Sequence, residues 1–120
     1  MIYFIGAGPG DPELITVKAM NILKQADVVL YTGSLVPREV LSWCKEDALI
    51  VDSQGMRYPE IFEFLQTHKD KILARVHTGD PSIYSTTAKQ IEFLNENGID
   101  YSVIPGITAA FGAAASLGNR

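Results

Sequence analysis

Three short segments carry the residues whose types and spacing suit ligand chemistry. They are Gly6-Ala7-Gly8-Pro9-Gly10-Asp11-Pro12, Thr78-Gly79-Asp80-Pro81 and Ile104-Pro105-Gly106-Ile107-Thr108-Ala109. Each follows a short apolar run and precedes a helical pattern. A glycine-rich turn from strand to helix lets a ligand approach the backbone, and α/β proteins bind their ligands at such turns. Three of them imply a binding crevice along one sheet edge. In the second loop Gly79 permits close approach, Asp80 can cap the next helix and Pro81 can open it. Thr108 and Ala109 stand at a helix mouth, where small side chains leave room for a flat ligand. The small residues behind them, Gly112 to Ala115, read as close packing of helix on sheet.

The first loop departs from the dinucleotide fingerprint. Its glycines read GxGxG, and Asp11 stands where the third glycine of GxGxxG belongs. An acid there would repel a pyrophosphate. The next strand ends in Thr32 instead of an acid that could hold a ribose, and no GxxxxGK[ST] occurs. Locally, Asp11 reads as a helix N-cap with Pro12 at the first helical position. His77, at a strand end, reads as a satisfied, partly buried histidine in preference to a base. No nucleophile–base pair stands out, and the two histidines and scattered acids lack metal-ligand spacing. The single cysteine, Cys44, excludes a disulfide framework and reads as a buried, inert thiol.

The elements that must position these loops follow from apolar runs and their punctuation. Strands are predicted at 2–6, 27–31, 48–52, 71–77 and 100–104, and helices at 12–25, 37–44, 58–69, 82–96 and 107–117. The first helix places Leu14, Val17, Ala19, Met20, Ile22, Leu23 and Ala26 largely on one face. Gly98 fits a helix C-cap. Strict alternation of strand and helix predicts an α/β fold, a five-stranded parallel sheet flanked by helices, with the loops after 5, 77 and 104 on one edge.

Composition narrows the function classes. The chain has 120 residues, 47% hydrophobic, enough for one domain with its own core. Ten basic against 14 acidic residues give a net charge of −4, which argues against general nucleic-acid binding. No apolar run approaches the ~20 residues of a membrane span. The start, Met-Ile-Tyr-Phe-Ile-Gly, lacks the basic region of a signal peptide. A cytoplasmic protein is the expectation.

Read together and in this order, the three loops resemble those of the tetrapyrrole methylases, which transfer methyl groups from S-adenosylmethionine to porphyrin-like rings. Leu14, Thr16, Ala26-Asp27-Val28-Val29-Leu30-Tyr31, Ile83 and Tyr84 extend the resemblance over nearly the whole chain. Tyr31-Thr32-Gly33-Ser34-Leu35-Val36-Pro37, Asp52-Ser53-Gln54-Gly55-Met56 and Val76-His77-Thr78-Gly79-Asp80-Pro81 are most similar to the branch that methylates C11 of precorrin-4 in cobalamin synthesis.

The resemblance implies two α/β domains with the cofactor in the cleft between them, residues 1–120 matching the N-terminal domain. It implies cofactor contacts at Pro9, Thr78, Gly79, Asp80, Ile83, Thr108 and Ala109, an anionic tetrapyrrole substrate, no resident metal and a homodimer. The implied chemistry is direct displacement at a sulfonium methyl, with the protein supplying alignment and proximity. Some relatives that methylate uroporphyrinogen have an aspartate after the tyrosine matching Tyr31. Thr32 stands there in this chain and cannot act as that base, so the catalytic base is unassigned. Arg38, Arg57 and Arg75 are candidates to hold the substrate's carboxylates. For Arg38 and Arg75 ordinary surface charge is the preferred reading, and Arg57 is the foremost candidate. The residues also leave open another branch of the superfamily, acting on uroporphyrinogen-III, another precorrin, diphthine or ribosomal RNA, or a non-catalytic nucleotide-binding module. The isolated chain is expected to fold but to be catalytically silent.

Overall fold

The computed structural model describes residues 1–8, 11–33, 36, 38–77 and 85–106, with the side chains of Pro12, Ser85 and Thr86 outside the description. Its strands are β1 (Ile2–Gly6), β2 (Val28–Tyr31), β3 (Leu49–Asp52), β4 (Leu73–His77) and β5 (Tyr101–Ile104). Its helices are α1 (Val17–Gln25), α2 (Arg38–Leu41), α3 (Tyr58–Thr67) and α4 (Ser85–Glu96), with a 3-10 turn at Pro12–Leu14. The strands lie in the order β3-β2-β4-β1-β5, and every pairing is parallel, as predicted. β2 to β5 each begin one or two residues later than their apolar runs suggest.

Register aligns the C-terminal strand ends. Gly6 pairs with His77, Ile5 with Ile104, and Tyr31 with both Asp52 and Val76. Side chains alternate across a strand, so the sheet buries two separate apolar layers. One contains Ile5, Val29, Ala74, Val76 and Ile104 under α1 and α2. The other contains Ile2, Phe4, Val28, Leu30 and Leu73 under α3 and α4.

The predicted helix 12–25 is corrected to a 3-10 turn followed by a separate α-helix. Asp11 Oδ1 accepts from Glu13 N (2.9 Å) and caps the turn, as its position suggests. Ile15 is then extended (φ −75°, ψ 143°), and Thr16 Oγ1 accepts from Ala19 N (3.2 Å), starting a second helix. Two successive caps divide the segment because each satisfies orphan N–H groups of its own. Val17, assigned to the apolar face, is instead 69% exposed in the first turn, and Ala19 and Leu23 are the helix's buried residues.

The predicted helix 37–44 also shortens. After Leu41 the chain tightens into i→i−3 bonds, from Ser42 to Glu39, Trp43 to Val40 and Cys44 to Leu41. Cys44 is half-buried, and desolvation pushes its thiol pKa up. Leu94 O accepts from Ile99 N (2.9 Å) and Asn95 O from Gly98 N (3.3 Å), which closes α4 at the predicted cap. The predicted helix at 107–117 and the first residues of 82–96 lie outside the described residues.

Candidate functional site at the C-terminal strand edge

The connections place a topological switch point between β1 and β4. The chain leaves β1 and β2 for helices on one face, and leaves β3 and β4 for helices on the other. β1 and β4 are hydrogen-bonded neighbours whose connections depart on opposite faces. Such a switch point opens a ligand crevice at the carboxyl ends of the strands. The first two glycine-rich loops begin there, and Ile104, which leads into the third, lies beside Ile5. Ala7 N donates to His77 O at 2.6 Å and holds the two strand exits together. Gly8 turns at φ +78°, and a Cβ on it would lie 2.9 Å from Leu14 O. Only glycine allows the loop to fold back onto the 3-10 turn this closely. Pro9, Thr78, Gly79, Asp80, Ile83, Thr108 and Ala109 all lie outside the described residues.

The ends of β2 and β3 interlock. Tyr31 O accepts from Ser53 N (2.7 Å) and from Ser53 Oγ (3.0 Å). Asp52 Oδ1 accepts from Gly33 N (2.7 Å) and Gln54 N (2.8 Å). Thr32 Oγ1 and Ser53 Oγ lie 3.3 Å apart. Gly33 has φ +38°, and a Cβ on it would run into the Gln54 side chain. Tyr31-Thr32-Gly33 and Asp52-Ser53-Gln54, prominent in the sequence, are therefore one structural unit.

Arg75 extends this unit into the interior, and its reading as surface charge is overturned. It is 3% exposed, because β4 lies between β2 and β1 and α3 and α4 cover that face. Its Nε donates to Gln90 Oε1 (3.0 Å), and its Nη1 donates to Leu30 O (3.3 Å) and Thr32 Oγ1 (3.3 Å). Burial pulls its pKa down to about 10, which leaves it charged at neutral pH. No carboxylate forms an ion pair with it among the described residues.

His77 is the satisfied histidine that the sequence suggested. It is 7% exposed, stacks on Phe4 (ring centroids 6.0 Å apart) and places Nε2 3.4 Å from Thr87 Oγ1. Burial, reinforced by the Arg75 charge, depresses its pKa to about 3, so the ring is neutral and a weak proton acceptor.

The other arginines sit on the surface. Arg38 is exposed on α2. Arg57 is exposed before α3, and its backbone N–H donates to Glu60 Oε1 (3.3 Å) in a helix-start role. Thr87, Gln90 and Ser53 were not singled out from sequence. Thr87, Gln90 and Leu94 are spaced i, i+3, i+7, which is the one sequence signal that all three face the sheet. Among the described residues no group of three or more His, Cys, Asp or Glu could hold a metal, and no helix is long and apolar enough to cross a membrane. A hollow of about 400 Å³ lined by Met1, Lys69, Asp70, Gly98, Ile99 and Asp100 lies at the opposite, N-terminal edge of the sheet, away from the crevice.

Comparison with known proteins agrees with this geometry. The family model for tetrapyrrole (corrin/porphyrin) methylases matches residues 1–119. The precorrin-4 C(11)-methyltransferase of Pseudomonas aeruginosa is 46% identical over 119 residues, covering 98% of this chain and 47% of that protein. The X-ray structure of a cobalt precorrin-4 methyltransferase superposes with a TM-score of 0.91 at 43% identity, over 96% of this chain and 49% of the other. The Thermus thermophilus uroporphyrin-III C-methyl transferase, complexed with S-adenosyl homocysteine, gives 0.83 at 34% identity, over 94% and 51%. The chain spans about half the length of the curated relatives it matches. Its parallel sheet and its sequence over nearly every residue together place the chain in the tetrapyrrole methylase family.

Proposed function

We propose that this chain is the N-terminal domain of an S-adenosylmethionine-dependent methyltransferase acting on C11 of precorrin-4 or cobalt-precorrin-4. The observation that carries this reading is 46% identity to a precorrin-4 C(11)-methyltransferase over 98% of the chain. A second domain completes the cleft, the protein works as a cytoplasmic homodimer, and neither nucleic acid nor membrane is a partner. Pro9, Thr78, Gly79, Asp80, Ile83, Thr108 and Ala109 contact the cofactor. This assignment is supported by the strand ends that lead into those residues, since Gly6, His77 and Ile104 end on one edge. The switch point between β1 and β4 suits a cofactor of this shape, because the backbone exits at Gly6 and Ala7 without bulky side chains.

When bound, S-adenosylmethionine supplies an electrophilic methyl on a sulfonium. This chain's part is to hold and align the two reactants, the source of most of the rate in such a displacement. The buried, neutral His77 is a weak base and leaves proton transfer to other groups.

The test is direct. The full-length protein is incubated with precorrin-4 or cobalt-precorrin-4 and S-adenosylmethionine carrying a 13C methyl, and the product is read by NMR. A labelled methyl on C11 is expected. A methyl on another ring carbon would reassign the branch. The uroporphyrin-III relative at 34% identity makes uroporphyrinogen the second reading, and Thr32 at the position of an aspartate weighs against it.

A further inference from the structure

We propose that Arg75 is an electrostatic anchor for an acidic side chain of the tetrapyrrole, kept charged and, among the described residues, without a carboxylate partner, so that the substrate completes its neutralisation. This deepens the functional reading above and rests on it. Three observations carry it.

First, Arg75 is 3% exposed, and each of its hydrogen-bond partners among the described residues is neutral: Gln90, Thr32 and the Leu30 carbonyl. Neutral acceptors do not return what a buried charge loses on leaving water, and isolated buried charges are normally paired. Second, the carboxylate that ends β3 is engaged with backbone through Oδ1. Asp52 Oδ1 takes the N–H groups of Gly33 and Gln54, and Asp52 makes no ion pair with Arg75.

Third, the charge lies under the strand-end edge and is relayed toward it. Ser53 spends its one hydroxyl proton on Tyr31 O. Its oxygen is therefore left to accept from Thr32, whose own oxygen accepts from Arg75 Nη1. The dipoles run one way, from β4 to the exits of β2 and β3, where Thr32 is half-buried. A charge under low-dielectric cover acts over a longer range than one in water. The ligand class is a polycarboxylate whose acid groups are attracted by the Arg75 charge itself, since the Thr32 and Ser53 hydroxyl protons are already given to Ser53 Oγ and Tyr31 O.

The experiment uses the full-length protein and uroporphyrin, with its fully esterified methyl ester as the uncharged probe. Fluorescence titrations give both affinities, and calorimetry with S-adenosylhomocysteine reports the cofactor site. The parent is expected to prefer the acid to the ester, with a preference that falls as salt is raised. Arg75→Met should weaken acid binding about tenfold while leaving the ester and S-adenosylhomocysteine within about twofold, and Arg75→Lys should recover part of the loss. If Arg75→Met does not fold, Gln90→Glu decides, because it sets a buried carboxylate against Arg75 Nε and should abolish the preference for the acid. Equal binding of acid and ester by the parent would overturn the proposal while leaving the methylase reading intact. Acid affinity unchanged in the folded variants would also overturn it. A parent that binds neither porphyrin nor S-adenosylhomocysteine would sink the methylase reading along with it.

Discussion

β4 presents opposite chemistry on its two sides. Toward α1 and α2 it offers Ala74 and Val76, both fully buried in an apolar layer. Toward α3 and α4 it offers Leu73, then Arg75 and His77, so that layer is apolar at its base and polar near the strand ends. The polar groups reach across to Thr32 on β2 and to Thr87 and Gln90 on α4. The difference separates two roles within a single sheet. One face supplies cohesion along its whole length. The other supplies cohesion only below the strand ends, where it exchanges apolar contact for fixed charge beside the crevice.

The largest effects should come from the apolar parts of both faces and should be alike. Phe4→Ala removes a fully buried ring below His77 and should cost about 3–5 kcal/mol. Leu23→Ala on the α1 side should cost about 2–5 kcal/mol, both measured by urea denaturation. A Phe4 value near zero would mean that the α3–α4 layer is not a packed core and would remove the basis of the comparison.

The polar end of that face should then reveal itself through pH. His77 has its pKa lowered from 6.5 to about 3 by burial and by Arg75. Between these values the unfolded chain binds more protons than the folded one, so stability rises with pH through this window. The His77 contribution is complete above about pH 6.5 and is lost as pH falls toward 3. Denaturation midpoints should show a slope of about 1.4 kcal/mol per pH unit in the middle of the window, and His77→Gln should flatten it. An unchanged slope in His77→Gln would show that another group titrates.

A smaller stability effect is expected at Arg75. Arg75→Met trades a buried cation, with no carboxylate partner among the described residues, for an apolar chain of similar reach. It should shift unfolding by no more than about 1 kcal/mol, because lost hydrogen bonds offset the relieved desolvation. A loss well above that would make Arg75 a structural element and erase the contrast between the faces.

Much of this was legible in the residues. Short apolar runs separated by helical spacing sufficed for five parallel strands and for the shared edge of the strand ends that lead into the loops. The cap at Asp11 was legible too, yet the helix it announced was divided, because Thr16 caps a second helix and Ile15 takes an extended conformation between them. Arg75 was misjudged for a general reason. Arginine is mostly found at the surface, and a prior drawn from residue type outweighed a neighbourhood, Leu73-Ala74-Arg75-Val76-His77, that reads as a fully covered strand. Thr87, Gln90 and Ser53 gave no chemical signal of their own, since their importance depends on which side chains the topology brings next to them.

A ligand site where β1, β4 and β5 end is the expectation. Backbone amide shifts of the full-length protein, recorded by NMR as S-adenosylhomocysteine is added, test this most directly. The largest changes should fall on Gly6–Asp11, on His77 and the residues after it, and on Ile104–Ala109. Changes concentrated instead at Met1, Lys69 and Gly98–Asp100, on the opposite edge of the same sheet, would contradict it.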